Sequence, residues 1–191
     1  LRIWHDQALI KESGGRETDT HHDQAYWPIK ETNTITAWIP MVPISENNGH
    51  MGFFSGSHKV KEKRFINIFK GKVGQEELDK LPQLKGIRPE YVDLNPGDVS
   101  FHHGLTFHEA KPNLSNEDRL VYTVIFFADG STRDSDRFHF SVDRPGIEPG
   151  QAIASDVTPL AYPLKEIPPA PKTPIQESFN FLQKSGLLPK T

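Results

Sequence analysis

The sequence contains no cysteine, which excludes disulfides, thiolate catalysis and cysteine-ligated zinc, and which fits a cytoplasmic protein. Long apolar runs are also missing. The longest, around Val121 to Ala128, is far too short to span a bilayer. The chain opens Leu1-Arg2-Ile3-Trp4-His5, without a charged-then-apolar leader. Excess charge is absent too: the formal net charge is −3, so nothing favours a nucleic-acid polyanion or an anionic membrane. The partner to expect is a small-molecule substrate.

What is present points to one domain. A chain of 191 residues can bury a sizeable core and is too short for two comfortable ones, so residues 1–191 are read together. The strand-like opening without Met leads us to expect that N-terminal residues precede Leu1. Residues 1–10 read as a strand, followed by a Gly14-Gly15 turn. Thr34 to Val42, Met51 to Phe54, Tyr91 to Leu94, Val99 to His103, Leu105 to Glu109 and Arg119 to Asp129 are further strands, separated by turn signals such as Asn95-Pro96-Gly97-Asp98. Many short strands and little helix indicate an all-β barrel or sandwich. Residues 57–90, rich in Lys and Glu, read as a surface insertion with a short helix near 75–81. Nine of the 16 prolines fall in 145–191, a density that prevents regular sheet. That segment is expected to be an extended tail with one short helix near 175–184. The core is about 1–128.

Nine histidines and no cysteine make imidazole the natural ligand for a transition metal here. In His21-His22-Asp23, extended backbone points residues i and i+2 to one face, so His21 and Asp23 can converge while His22 points away. An imidazole and a carboxylate make two-thirds of a facial triad suited to iron(II) with open positions. The third ligand must come from a distant strand, and His108 is the best candidate. Taken singly, a His-x-Asp triplet is often a surface accident, and a lone histidine after an apolar run is more often core.

Arg119 strengthens the case. It follows His108 across the polar turn 111–118, which reads as a hairpin placing it beside His108 at the start of an apolar strand. An inward arginine there needs an anion, and a dicarboxylate bridging metal and guanidinium would supply one. The alternative is that Arg119 faces solvent or pairs with Glu117 or Asp118.

Taken together, these segments resemble the phytanoyl-CoA dioxygenase family. The resemblance is carried by His21-His22-Asp23-Gln24-Ala25-Tyr26-Trp27-Pro28, Ala37-Trp38, Glu46-Asn47-Asn48-Gly49 and Gly56-Ser57-His58-Lys59. It continues through Pro96-Gly97-Asp98-Val99-Ser100-Phe101-His102-His103 to His108, Pro112-Asn113, Ser115 and Arg119, and covers roughly residues 1–128 in order. It implies a double-stranded β-helix (jelly-roll, cupin-like) fold and an oxygenase using iron(II), 2-oxoglutarate and O2. On this resemblance His21, Asp23 and His108 hold the metal and Arg119 grips the remote carboxylate of 2-oxoglutarate. Trp38 and Gln7 occupy cosubstrate-contacting positions. Several family members carry a serine two residues after the distal histidine, where this chain has Ala110. Thr123, sharing a strand face with Arg119, and Thr36, sharing one with Trp38, are the hydroxyls that can replace it.

The expected outcome is hydroxylation of a small organic molecule, with succinate and carbon dioxide as co-products. Related halogenating enzymes replace the carboxylate ligand by a small residue, and Asp23 argues against that outcome. Tyr26 and Trp27 are read either as a substrate wall or as core. His5, His50, His58 and His139 are read as surface or turn residues. Of His102 and His103 only one can face inward, either orienting a metal ligand or packing. Two rival readings remain: a cupin-type metalloenzyme without 2-oxoglutarate, which needs no buried Arg119, and a non-catalytic barrel module, which needs no intact triad.

Overall fold

The structure, a computed structural model, describes residues 1–61, 79–164 and 166–171. The helix expected at 175–184 lies outside these residues, and most of the one at 75–81 does too. Eight strands form two four-stranded antiparallel sheets. They are β1 (Arg2–Lys11), β2 (Thr18–His21), β3 (Thr34–Pro40), β4 (Met51–Phe53), β5 (Glu90–Val92), β6 (Ser100–His103), β7 (His108–Ala110) and β8 (Arg119–Phe127). One sheet runs β1-β8-β3-β6 and the other β2-β7-β4-β5. Neighbours in space are mostly distant in sequence, as in a jelly roll. The fold class is as the sequence implied, although the sheets do not close into a complete barrel.

The chain divides into two compact units, residues 6–27 with 32–125, and residues 1–5 with 28–31 and 126–191. The first holds all the candidate site residues. Its core lies between the sheets, where Trp38 and Val121 meet Met51 and Ala110, with Leu9 and Phe53 packed against them. On β8 the alternation is regular: Arg119, Val121, Thr123 and Ile125 are buried, whereas Leu120 and Tyr122 are exposed. The outward face of this sheet is nonetheless apolar. Ile10 is 63% exposed and Phe101 60%, with Met41, Val99, Leu120 and Tyr122 also open to solvent. In the second unit, Trp4 is fully buried, edge-on to Phe127 and stacked on His139 at 4.3 Å. Residues 145–164 there are irregular, joined by isolated bridges such as Arg2 with Leu160.

Three expectations are corrected. The loop 111–118 is not a hairpin: β7 and β8 lie in different sheets, so the loop is a crossover. Its geometry is set by Asn113, fully buried, whose amide donates to the carbonyls of Lys11 (2.9 Å), Glu12 (3.1 Å) and Glu117 (2.8 Å) and so ties the crossover to the end of β1. The region 57–90 is more than a surface insertion, because Leu81 and Leu84 join Phe54 and Phe107 in a buried cluster. The strand expected at 105–109 shrinks to His108–Ala110, since Gly104 donates to the Thr34 carbonyl and Leu105 to the His103 ring.

Candidate metal and cosubstrate site

His21 ends β2 and lies directly opposite His108, the first residue of β7. On the outer face the same strands are clamped by Glu109, which accepts from the Thr20 hydroxyl at 2.6 Å and from the Tyr91 hydroxyl. His22 is extended (φ −131°, ψ 144°), and Asp23 opens a single 3-10 turn, Asp23–Tyr26. Asp23 is therefore not in a strand, yet extended His22 preserves the same-side relation of His21 and Asp23. The turn is seated by Gln24, whose amide donates to the Gly104 carbonyl (2.8 Å) and whose side-chain oxygen accepts from Thr34 (2.7 Å). Gly104 is required there, because a Cβ would stand 2.1 Å from the Thr34 hydroxyl oxygen.

One donor atom from each of His21, Asp23 and His108 falls within 4.8 Å of the others. Asp23 Oδ1 is 3.8 Å from His21 Nε2 and 3.6 Å from His108 Nε2. Both rings face their Nδ1 toward backbone carbonyls, His21 to Asp19 at 2.7 Å and His108 to Thr106 at 2.9 Å. A carbonyl cannot donate, so Nδ1 carries the proton and the Nε2 lone pair is presented to the centre. Burial pushes both imidazoles toward the neutral form, His108 strongly. Burial alone would raise the Asp23 carboxyl, but His108, His102 and His21 outweigh it and hold the group well below the usual carboxylate range. Two neutral imidazoles and one carboxylate form the donor set that suits a divalent transition metal.

The second Asp23 oxygen is committed elsewhere. Oδ2 accepts from the Thr36 hydroxyl at 2.8 Å and meets His102 Nε2 at 3.2 Å. Of the two adjacent histidines, His102 thus faces inward, while His103 lies beside the His58 ring. Thr36 and His102 are paired across β3 and β6, so one rung of the sheet orients the carboxylate. Thr36→Val is expected to weaken iron(II) binding by about tenfold and the Thr36→Val/His102→Leu pair by up to about a hundredfold. Anaerobic titration against a competing chelator measures this, and unchanged affinity in the pair would remove the anchoring role.

Arg119 is only 5% exposed, with its guanidinium 5.5 Å over the Trp38 ring and Nη1 donating to the Gly49 carbonyl at 2.7 Å. Its Nε is buried without a hydrogen-bond partner, as is the Thr123 hydroxyl. Among the described residues no carboxylate pairs with Arg119, neither Glu117 nor Asp118. Burial pushes its pKa down, to about 10, which leaves it cationic at neutral pH. Of the two candidate threonines, Thr36 is engaged with Asp23 and Thr123 is not.

The remaining predicted residues are placed as follows. Gln7 shares its side of β1 with Leu9 and Lys11 by alternation but is exposed. Tyr26 is half-buried and edge-on to His21 at 5.9 Å. Trp27 is 6% exposed and lies beside Gly104, in the core. His22 is packed edge-on against Phe107 at 4.9 Å, away from the triad. His50 is not a surface residue: it is buried, stacks on Tyr91 and meets Asp93 at 3.0 Å. His139, read as a surface or turn residue, stacks on Trp4, and burial pushes its pKa down, to about 3.

Fold and site together place a His-Asp-His donor set that could hold a metal ion within a jelly roll, with the buried Arg119 guanidinium over the Trp38 ring. The phytanoyl-CoA dioxygenase family model matches residues 2–121, and this chain belongs to that family. A phytanoyl-CoA dioxygenase domain-containing protein 1 homolog of Caenorhabditis briggsae is 31% identical over 124 residues, covering 58% of this chain and 40% of the relative. A 1-deoxypentalenic acid 11-beta-hydroxylase of Streptomyces exfoliatus is 33% identical over 108 residues, covering 51% of this chain and 35% of that protein. The chain thus spans less than half the length of these relatives. Among solved structures, the non-heme alpha ketoglutarate dependent carbocyclase SnoK from nogalamycin biosynthesis superposes with a TM-score of 0.69 at 26% identity, over 83% of this chain and 61% of its own. The epimerase SnoN, solved with Fe3+, alpha ketoglutarate and nogalamycin RO, gives 0.69 at 25% identity, over 83% of this chain and 64% of its own. Among the described residues no helix is long and apolar enough to cross a membrane.

Proposed function

We propose that this chain carries the active centre of an iron(II)- and 2-oxoglutarate-dependent dioxygenase that hydroxylates a small organic molecule. The observation that carries the reading is the buried Arg119, with an unpartnered Nε and no carboxylate against it among the described residues, in the same unit as a triad of His21, Asp23 and His108. The two imidazole nitrogens and Asp23 Oδ1 would hold the iron. Arg119 and the Thr123 hydroxyl would receive the remote carboxylate of 2-oxoglutarate, with Trp38 as the wall beneath the guanidinium and Gln7 as a further contact. Bound iron(II) supplies oxygen activation coupled to oxidative decarboxylation of 2-oxoglutarate, giving succinate and carbon dioxide.

The chain's own part is to present deprotonated ligands, fix the Asp23 carboxylate through Thr36 and His102, and orient the cosubstrate. Tyr26, half-buried and edge-on to His21, would be the aromatic group that meets a substrate. A cupin-type metalloenzyme without 2-oxoglutarate would leave Arg119 buried and uncompensated, at a cost of several kcal/mol. Halogenation would need the position that Asp23 fills. The cysteine-free composition suits a reducing cytoplasm. The test is a screen of small organic substrates for succinate release above the uncoupled background, with iron(II), 2-oxoglutarate and ascorbate present. Absence of even uncoupled, oxygen-dependent 2-oxoglutarate turnover in iron-loaded protein would refute the reading.

A further inference from the structure

Lys11 closes β1 and is buried, 8% exposed. Its ammonium donates to the carbonyls of Arg16 (2.7 Å) and Lys111 (3.0 Å) and to the Thr18 hydroxyl (3.3 Å). These acceptors use all three of its protons, and all are uncharged, so the ammonium is solvated without being neutralised. The aliphatic stem runs along Gly49, where a Cβ would come within 3.0 Å of Lys11 Cδ. The carbonyl of that same glycine accepts from Arg119 Nη1. Two buried cations therefore converge on one residue, and Gly49, at φ +87°, leaves room for the first while its carbonyl holds the second.

The other charged groups around Lys11 do little to cancel it. Arg16, on the loop after β1, adds positive charge and lies 3.6 Å from the Asp19 carboxylate. The Lys111 ammonium stands over the Tyr91 ring. Among the described residues, Glu17 is the acidic group whose charge favours protonated Lys11. Burial first, then Arg119 and Arg16, pushes the Lys11 pKa down, to about 8.

We propose that Lys11 is a positioning residue for the dianionic cosubstrate, its buried charge standing behind Arg119 and drawing a carboxylate onto the guanidinium without touching it. The proposal rests on the reading that Arg119 receives the remote carboxylate of 2-oxoglutarate. An anion bound at Arg119 stabilises the Lys11 ammonium and raises its pKa in the complex. The complex then holds more protons than the free protein, and affinity falls as the pH rises through about 8. A neutral tie between the same loops would produce no such slope.

The test is calorimetric titration of 2-oxoglutarate into anaerobic, iron(II)-loaded protein between pH 7 and 9.5. The wild type is expected to lose about tenfold in affinity across this range and to take up protons on binding between pH 8 and 9. Lys11→Arg, charged throughout, should show a nearly flat profile. Lys11→Met should bind about tenfold more weakly at pH 7, again without slope. A flat wild-type profile, or a slope that persists in Lys11→Met, overturns the part assigned to Lys11 while leaving Arg119 in place. Failure of the iron-loaded wild type to bind 2-oxoglutarate at any of these pH values overturns the cosubstrate reading, and Lys11 with it. Should the variants misfold, proton uptake on binding decides: uptake by the wild type between pH 8 and 9 supports the part given to Lys11, and its absence overturns it.

Discussion

Iron(II) is expected to bind at about one ion per chain in the wild type, to be lost or sharply weakened in His21→Ala, Asp23→Ala and His108→Ala, and to be retained in His22→Ala. The three proposed ligands differ from His22 in what their side chains face. His21 and His108 turn Nδ1 to a carbonyl and leave Nε2 free for the centre, and Asp23 keeps Oδ1 free by committing Oδ2 to Thr36 and His102. Removing any one leaves two donors, too few to fix the ion against water. His22 is as buried as the ligands but lies against Phe107. Its truncation should lower stability, by roughly 2–4 kcal/mol for a large-to-small change in a packed site, with the metal still bound. Thermal unfolding and iron content measured on the same samples separate the two effects. Asp23→Gly should abolish oxygenation even where two histidines retain iron. Metal lost from His22→Ala but kept in His21→Ala would reverse the assignment of faces.

Arg119→Leu should leave iron binding intact and weaken 2-oxoglutarate binding by about ten- to a hundredfold. A charge-assisted hydrogen bond to a carboxylate contributes roughly 1.5–3 kcal/mol, which converts to that range. Arg119→Lys should fall between Leu and the wild type, because a lysine restores the charge but not the planar pair of donors. Stacking over Trp38 is lost in both variants. Thr123→Val, which deletes a buried hydroxyl lacking any partner, should cause a smaller loss in the same direction. Ala110→Ser should be tolerated. Anaerobic titration of iron-loaded protein with 2-oxoglutarate measures all four, and unchanged affinity in Arg119→Leu would return the site to a cupin-type reading.

How legible the site was depended on the range of the interactions that build it. The spacing of His21 and Asp23 needed only one extended residue between them, and His22 is extended even though Asp23 itself enters a 3-10 turn. The place of Arg119 at the head of an apolar strand left burial and solvent exposure both open, and only the family resemblance favoured the buried side that the structure shows. The route to it was misread, because a polar turn reads the same whether it closes a hairpin or crosses between sheets. The discriminating contact, Asn113 to the Lys11 and Glu12 carbonyls, joins residues about a hundred positions apart. Alternation put one of His102 and His103 inward without saying which, and put Thr36 on a face with Trp38; their joint hold on one carboxylate oxygen was not legible, since that requires the register of β3 with β6. Lys11 gave no sequence signal at all. A lysine ending an exposed-looking strand is ordinarily solvated, whereas this one is held by acceptors from two segments, Arg16 and Thr18 on one and Lys111 on the other.

The outward side of the β1-β8-β3-β6 sheet bears on handling of the chain in every one of these experiments. Ile10, Met41, Val99, Phe101, Leu120 and Tyr122 present apolar surface to water on one side of a twisted sheet. Exposed apolar side chains gathered on one sheet favour self-association, and a net charge of only −3 provides little colloidal repulsion. Salting-out anions such as sulfate strengthen apolar association, so phosphate- or sulfate-rich buffers work against a monodisperse sample. Dilute protein, held at a pH above its isoelectric point of about 6.3, is the preparation in which ligand stoichiometry reports on the site rather than on clustering of the chain.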